Sequence, residues 1–369
     1  MTLPPRRDST VRSDTDPPTR GLVVMQSFRA PRRTTNPYIT MLDAALSETP
    51  GLVHARFDWK RAILGRYDVF HWHWPEGKLH GTTWWKTVGK HALMLALLAR
   101  HRFTRVVVVR TVHNLELPEV HPITRRLLEI VETTTDYRIT LNVTTPVPAG
   151  APSSLIRHGH YRDWYAPYPR AQRIPGRLGY FGGIRRYKSV GALVEAYADA
   201  IREDPTLSLR IAGRPSNTEL ARVLAERVDA LPSAVLDLGF VEDPELVDLA
   251  TSSQLVVLAY RFMHNSGSVL AALSLDRPVL VPRNEANEAL AREVGAEWVC
   301  MYDGELGAPA LHAAIAATAS IPASAQPDLG LRGWARAGEE HLEAYRRALA
   351  SSRRRANALV RVAEPETVA

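Results

Sequence analysis

Two doubly wound α/β domains facing a shared cleft are the fold class this sequence predicts. Three observations lead there. Apolar runs of strand length alternate with helix-period stretches almost throughout the chain. The alternation breaks once, over residues 144–177, where Pro146, Pro148, Pro152, Pro167, Pro169 and Pro175 crowd together as in an inter-domain connection. The length of 369 residues, at roughly 150 per domain, suits two domains better than one.

In the first half, residues 21–25, 52–57, 68–72, 106–110 and 137–143 read as strands. Helical patterns lie between them at 38–46, 84–100 and 123–133. The run Val106-Val-Val-Val109 is apolar without interruption, which marks a parallel strand buried on both faces. After the proline-rich connection, strands fit residues 178–181, 207–212, 235–238, 255–260, 278–281 and 298–302. Helices fit 189–201, 218–230, 244–251, 269–275, 285–294 and 308–317, and a last amphipathic helix covers 334–349. The expected organisation is a disordered arm (1–20), an N-terminal Rossmann-like domain (21–165) and a C-terminal one (166–330). A helix packing back toward the first domain (331–350) and a basic flexible tail (351–369) complete it.

Composition excludes several classes. The hydrophobic fraction of 45% and the charged fraction of 23% are those of a globular protein. No apolar run reaches the roughly 18 residues of a transmembrane helix, and Met1–Arg20 lacks the apolar core of a signal peptide. Cys300, the single cysteine, excludes an intramolecular disulfide and a multi-cysteine zinc site. A reducing cytoplasm is the expected compartment. The net charge of +7 suits an anionic partner without choosing among them.

Open α/β sheets bind ligands beyond the carboxyl ends of their strands, and the polar clusters of this sequence fall there. His71-Trp-His-Trp-Pro-Glu76 directly follows Asp68–Phe70 of the third strand, with His71 and His73 on one side of an extended chain. His113 and Asn114 close the strand at 106–110, where an imidazole can bind sugar or phosphate oxygens or move a proton. His158, His160 and Tyr161 lie in the connection around Gly159. Gly182, Gly183, Arg185 and Lys188 follow the strand at 178–181 just ahead of a helix, a pattern suited to a diphosphate. It is neither a Walker loop nor a dinucleotide fingerprint. Tyr260, Arg261, Asn265, Ser266 and Gly267 lead into the helix at 269–275 and offer free amides and small polar groups. Asp14-Thr-Asp16 imitates a metal motif but sits in the N-terminal arm, so no metal site is expected.

Together these segments resemble bacterial glycosyltransferases of the GT-B fold, the group 1-like enzymes of exopolysaccharide and glycolipid synthesis that carry a His-x-His-Trp-Pro-Glu motif. The resemblance rests on His71–Glu76, Thr111–Asn114, His158–Tyr161, Gly182–Lys188, Asn265–Gly267 and Arg277-Pro-Val279. It implies hexosyl transfer from a nucleotide-diphosphate sugar (GDP-mannose or a UDP-hexose) to a lipid-linked or polysaccharide acceptor, with no cofactor. The C-terminal domain would hold the donor and the N-terminal domain the acceptor. Arg185 and Lys188 match the pair that grips the donor diphosphate, and His113 the histidine beside the donor sugar. The resemblance departs at the family's Glu-x7-Glu pair, whose positions are held by Met263 and Ala271. The donor-sugar contacts and a retaining outcome therefore do not carry over.

If the reaction inverts, one base must take the acceptor proton, and His71, His73, Glu76 and His113 are the candidates; if it retains, no dedicated base is required and the donor phosphate can play that part. A nucleotide-sugar-binding protein without transfer activity is the competing reading. A nucleic-acid binder finds no support, because the arginine-rich segments lie in the tails. The helix with Trp84, Trp85, Lys86 and Lys90 reads most simply as core packing. A peripheral contact with the anionic inner face of the plasma membrane is the alternative.

Overall fold

The computed structural model describes residues 21–104 and 106–363; the expected N-terminal arm and Asp14-Thr-Asp16 lie outside them. The first domain runs β1 (Leu22–Gln26), α1 (Pro37–Glu48), β2 (Leu52–Ala55), α2 (Trp59–Leu64), β3 (Val69–Trp72), α3 (Trp84–Phe103), β4 (Val107–Val112), α4 (Pro122–Thr133), β5 (Tyr137–Thr140) and β6 (Ser153–Leu155). A short α5 (Arg162–Tyr165) leads across to the second domain. That domain runs β7 (Arg177–Phe181), α6 (Val190–Glu203), β8 (Ser208–Gly213), α7 (Thr218–Asp229), β9 (Ala234–Leu238), α8 (Asp243–Ser252) and β10 (Leu255–Val257). It continues with α9 (Gly267–Ser274), β11 (Val279–Pro282), α10 (Glu285–Val294), β12 (Val299–Tyr302) and α11 (Ala308–Ala319), before the long α12 (Trp334–Ala363).

Each domain holds one six-stranded sheet, in the orders β2-β1-β3-β4-β5-β6 and β12-β11-β10-β7-β8-β9. The pairings of β1 with β3 and of β7 with β10 are parallel, as are their neighbours. The strand order reverses between β1 and β3 in one sheet and between β7 and β10 in the other. Such switch points open a crevice at the carboxyl ends of the strands. Val107, Val108 and Val109 are buried on both faces, which is why this segment carries no polar alternation.

Two elements differ from the sequence reading. β6 falls inside the proline-rich connection and adds an edge to the first sheet beside β5, pairing Arg138 with Ser153. Three residues between prolines carry no period for a sequence to show. The last helix does not stop near residue 349: α12 continues to Ala363. No Gly or Pro occurs between Gly338 and Pro365 to end it. Its first half crosses back onto the first domain, where Tyr345 is fully buried.

One close approach fixes the loop after β7. A Cβ on Gly213, at the end of β8, would stand 1.9 Å from the carbonyl oxygen of Gly182. The atom at that distance belongs to the backbone, so it cannot swing aside as a flexible side chain would. Gly213→Ala should therefore lower stability by about 1–3 kcal/mol, the range for overpacking, as read by urea unfolding. Unfolding at the wild-type midpoint would contradict this packing.

Candidate active site

The carboxyl ends of β1, β3 and β4 meet those of β7 and β10 across the domain boundary. Asn265, in the loop between β10 and α9, joins the two sides. Its Nδ2 donates to the His113 carbonyl at 3.0 Å, and its Oδ1 accepts from Asn142 Nδ2 at 2.7 Å. Asn142 lies just beyond β5, so both ends of the Asn265 amide are spent on the first domain. The neighbouring His264 adds a 2.7 Å contact from Nε2 to Thr145 Oγ1. Asn265 thus acts as a clasp as well as a wall of the cleft.

Two cavities in the cleft flank His113. The larger, about 780 Å³, lies between His113, Asn114 and Glu116 of the first domain and Lys188, Tyr260, Arg261, Asn265, Ser266 and Gly267 of the second. The smaller, about 400 Å³, is walled by Tyr38, Trp74, Tyr161, Phe181 and Phe240 with Asp243. His113, Asn114, Asn265, Gly267 and Ser268 line both, so the two spaces meet at His113. Aromatic walls with a few polar groups suit a sugar-bearing ligand.

The larger cavity is prepared for an anion. The Ser266 hydroxyl caps α9 by accepting from Val269 N at 3.3 Å, and Ser266, Gly267 and Ser268 at this helix start border the space. Lys188 Nζ sits 4.8 Å above the Tyr260 ring, over the α9 end. The start of α10 borders the same space with Asn284 and Glu285. Sequence reasoning passed over Glu285 because it does not fit the register of the family's glutamate pair. Its place in space rather than its spacing puts a carboxylate there.

His113 is held on one side by Trp74, with the rings stacked at 3.7 Å and 19°. On the other side its Nε2 lies 3.2 Å from His73 Nδ1. His73 continues to Gln26 Oε1 at 3.1 Å, and Gln26 Nε2 donates to the Tyr345 hydroxyl at 3.0 Å. That hydroxyl is 2.8 Å from His71 Nδ1, and His71 Nε2 is 2.8 Å from Thr111 Oγ1. Burial, and then neighbouring positive charge, hold His71, His73 and His113 well below the usual histidine range. All three are therefore neutral at physiological pH.

The remaining candidates occupy different places. His71 is fully buried and His73 nearly so, and neither walls a cavity. Glu76 is half-buried away from both cavities, and its carboxyl is raised by burial. His158 and Tyr161 wall the smaller cavity; burial takes His158 down to about 4. His160 is occupied within the connection, where its Nδ1 accepts from Arg162 N and its carbonyl from Trp334 Nε1. Arg185 donates to the carbonyls of Ile184 and Arg214 and turns out of the larger cavity, as does Gly183 beside it. Among the described residues, no three His, Cys, Asp or Glu side chains are placed to hold a metal ion.

A family profile described as "Glycosyl transferases group 1" matches residues 175–318, the second domain. The GDP-mannose:glycolipid 4-beta-D-mannosyltransferase of Xanthomonas campestris pv. campestris is 42% identical over 333 residues, 89% of this chain and 93% of that one. The chain belongs to the group 1 glycosyltransferases. Solved structures of the same GT-B fold are far more distant in sequence. Anabaena HepE in complex with UDP matches at a TM-score of 0.54 and 12% identity, over 92% of this chain and 99% of that one. Sucrose-phosphate synthase from Thermosynechococcus elongatus matches at 0.54 and 14%, over 93% and 99%. This group 1 glycosyltransferase therefore combines two α/β domains with a cleft that meets at an uncharged histidine.

The buried imidazoles impose a pH dependence. In the unfolded chain each takes up a proton near pH 6.5. In the folded protein His71, His73 and His113 do so only at lower pH, and His341 and His101 only near about 4 and 3. Between these values the unfolded state binds more protons, so stability rises with pH. It is fully present above about pH 6.5 and is lost as the pH falls through the folded values. Urea unfolding should show a steep loss from about pH 7 to about pH 5; a flat profile there would contradict neutral burial.

Proposed function

We propose that this enzyme transfers mannose from GDP-mannose to a hydroxyl of a glycolipid acceptor and inverts the anomeric centre. The meeting of the two cavities at His113 carries this reading, together with the likeness to the Xanthomonas mannosyltransferase. GDP-mannose carries its sugar as the α anomer, so a β linkage of the kind named for that relative requires one in-line displacement.

In this reading the donor occupies the larger cavity. Its diphosphate lies against the α9 amides and Lys188, and its ribose reaches Glu285 at the start of α10. The acceptor sugar lies in the aromatic cavity between Tyr38, Trp74 and Phe240. The acceptor oxygen attacks C1 from the face opposite the diphosphate, its proton passes to His113, and GDP departs with the electrons of the broken C1–O bond. The α9 amides and Lys188 stabilise the charge that develops on the leaving group. A donor panel of GDP-mannose, UDP-glucose and ADP-glucose, with NMR of the product, tests this. Turnover with GDP-mannose and a β product is expected. An α product, or turnover confined to another nucleotide, would overturn it.

The glycolipid reading also calls for contact with a membrane surface. No helix among the described residues is long and apolar enough to cross a bilayer. α3 packs inward with Met94, Leu97, Leu98 and His101, which accounts for one face only. Its outer face leaves Trp84 76%, Trp85 57% and Phe103 85% exposed, along with Val88 and Leu95. The helix carries Lys86, Lys90, Arg100 and Arg102 and no acidic residue. Core packing accounts for the inner face, and the exposed apolar and basic residues of the outer face support an interfacial helix on anionic lipid. The double variant Trp84→Ser/Trp85→Ser should lower binding to phosphatidylglycerol vesicles by about tenfold and leave neutral-vesicle binding weak. Unchanged sedimentation with anionic vesicles would exclude this face.

A further inference from the structure

Two residues outside every motif of the sequence complete the chain of imidazoles. Gln26 ends β1 and Tyr345 projects from α12, and both are buried. With the Gln26 amide as placed, the protons on His73 and His113 are determined, and those on Tyr345 and His71 have one arrangement that continues the series. Gln26 Oε1 can only accept, so His73 carries its proton on Nε2 and presents a bare Nδ1. His113 must then donate through Nε2, which leaves its own Nδ1 as a lone pair. Gln26 Nε2 donates to the Tyr345 oxygen, whose hydroxyl proton turns to His71 Nδ1. His71 then donates through Nε2 to Thr111 Oγ1. No atom in the series is left without a partner except His113 Nδ1, on the ring that lines both cavities.

We propose that Gln26 and Tyr345 are positioning residues that hold His113 in the tautomer with its Nδ1 lone pair toward the acceptor hydroxyl. This rests on the base role given to His113 above. When His113 Nδ1 takes the acceptor proton, its Nε2–H remains bonded to the neutral His73, and Gln26 Oε1 supports the positive charge through His73 Nε2–H. The arrangement is that of a base steadied by a second and a third group, built without a carboxylate. The return helix thereby becomes part of the proposed site, because Tyr345 holds the far end of the Gln26 amide.

The reverse polarity satisfies the same contacts: flip the Gln26 amide and each proton moves to the other end of its bond. His113 would then show an N–H to the cleft and could not act as a base. Proton–nitrogen correlation NMR of the full chain with isotope-labelled histidine separates the two, with imidazoles assigned by single replacements. A bare Nδ1 on His113 and a protonated Nε2 on His73 are expected. The reverse pattern overturns the proposal even in an enzyme that makes the expected β product. Gln26→Leu should then lower kcat by about tenfold, the worth of one buried hydrogen bond, with KM for both substrates unchanged. Gln26→Glu, which keeps the acceptor for His73, should recover most of that loss. A Gln26→Leu enzyme with wild-type kcat, or one impaired in KM alone, contradicts the positioning role.

Discussion

The candidate site depends on keeping an imidazole uncharged where two domains meet. Removing a charge from water is costly unless a partner compensates it. Among the described residues, no carboxylate hydrogen-bonds His71, His73 or His113. The groups that bond or stack on them are neutral: Gln26, Thr111, Tyr345 and the Trp74 ring. Burial therefore selects the unprotonated form, which is the form a base needs before reaction. The same burial weakens the protein in acid, so stability and chemistry share one cause.

The fold brings this about through its switch points. β1, β3 and β4 end side by side, so Gln26, His73 and His113 come together although 47 and 40 residues separate the bonded pairs. β7 and β10 end opposite, and the loop after β10 supplies Asn265 as clasp and leads into α9 at the larger cavity. The two walls of the cleft are separate products of the two sheets. α12 ties them together, since it begins beside the connection at Trp334 and reaches the first sheet at Tyr345.

Much of this was legible in sequence. Val106–Val109 could only be a doubly buried strand, and each polar cluster that follows a strand lies at the cleft end of its sheet. The unreadable parts share a physical reason: they depend on which way a side chain turns or on a partner far along the chain. Arg185 and Lys188 belong to one motif, yet Arg185 turns to the Ile184 and Arg214 carbonyls while Lys188 faces the cavity. His71 and His73 share a strand face, but both are buried behind His113 rather than open to substrate. Gln26 reads as an ordinary strand end until Tyr345, 319 residues away, is beside it. Glu285 was visible as a carboxylate but not as a neighbour of the donor cavity.

The most direct measurement compares turnover and nucleotide binding in His113→Gln. Glutamine preserves bulk and a donor toward His73 but has no basic lone pair. The account predicts kcat lower by about a hundred- to ten-thousandfold, the usual worth of a general base. GDP affinity, by calorimetry, should stay that of the wild type, because the diphosphate is held from the other domain. A His113→Gln enzyme that turns over at the wild-type rate, or one that loses GDP binding in step with its activity, would contradict it.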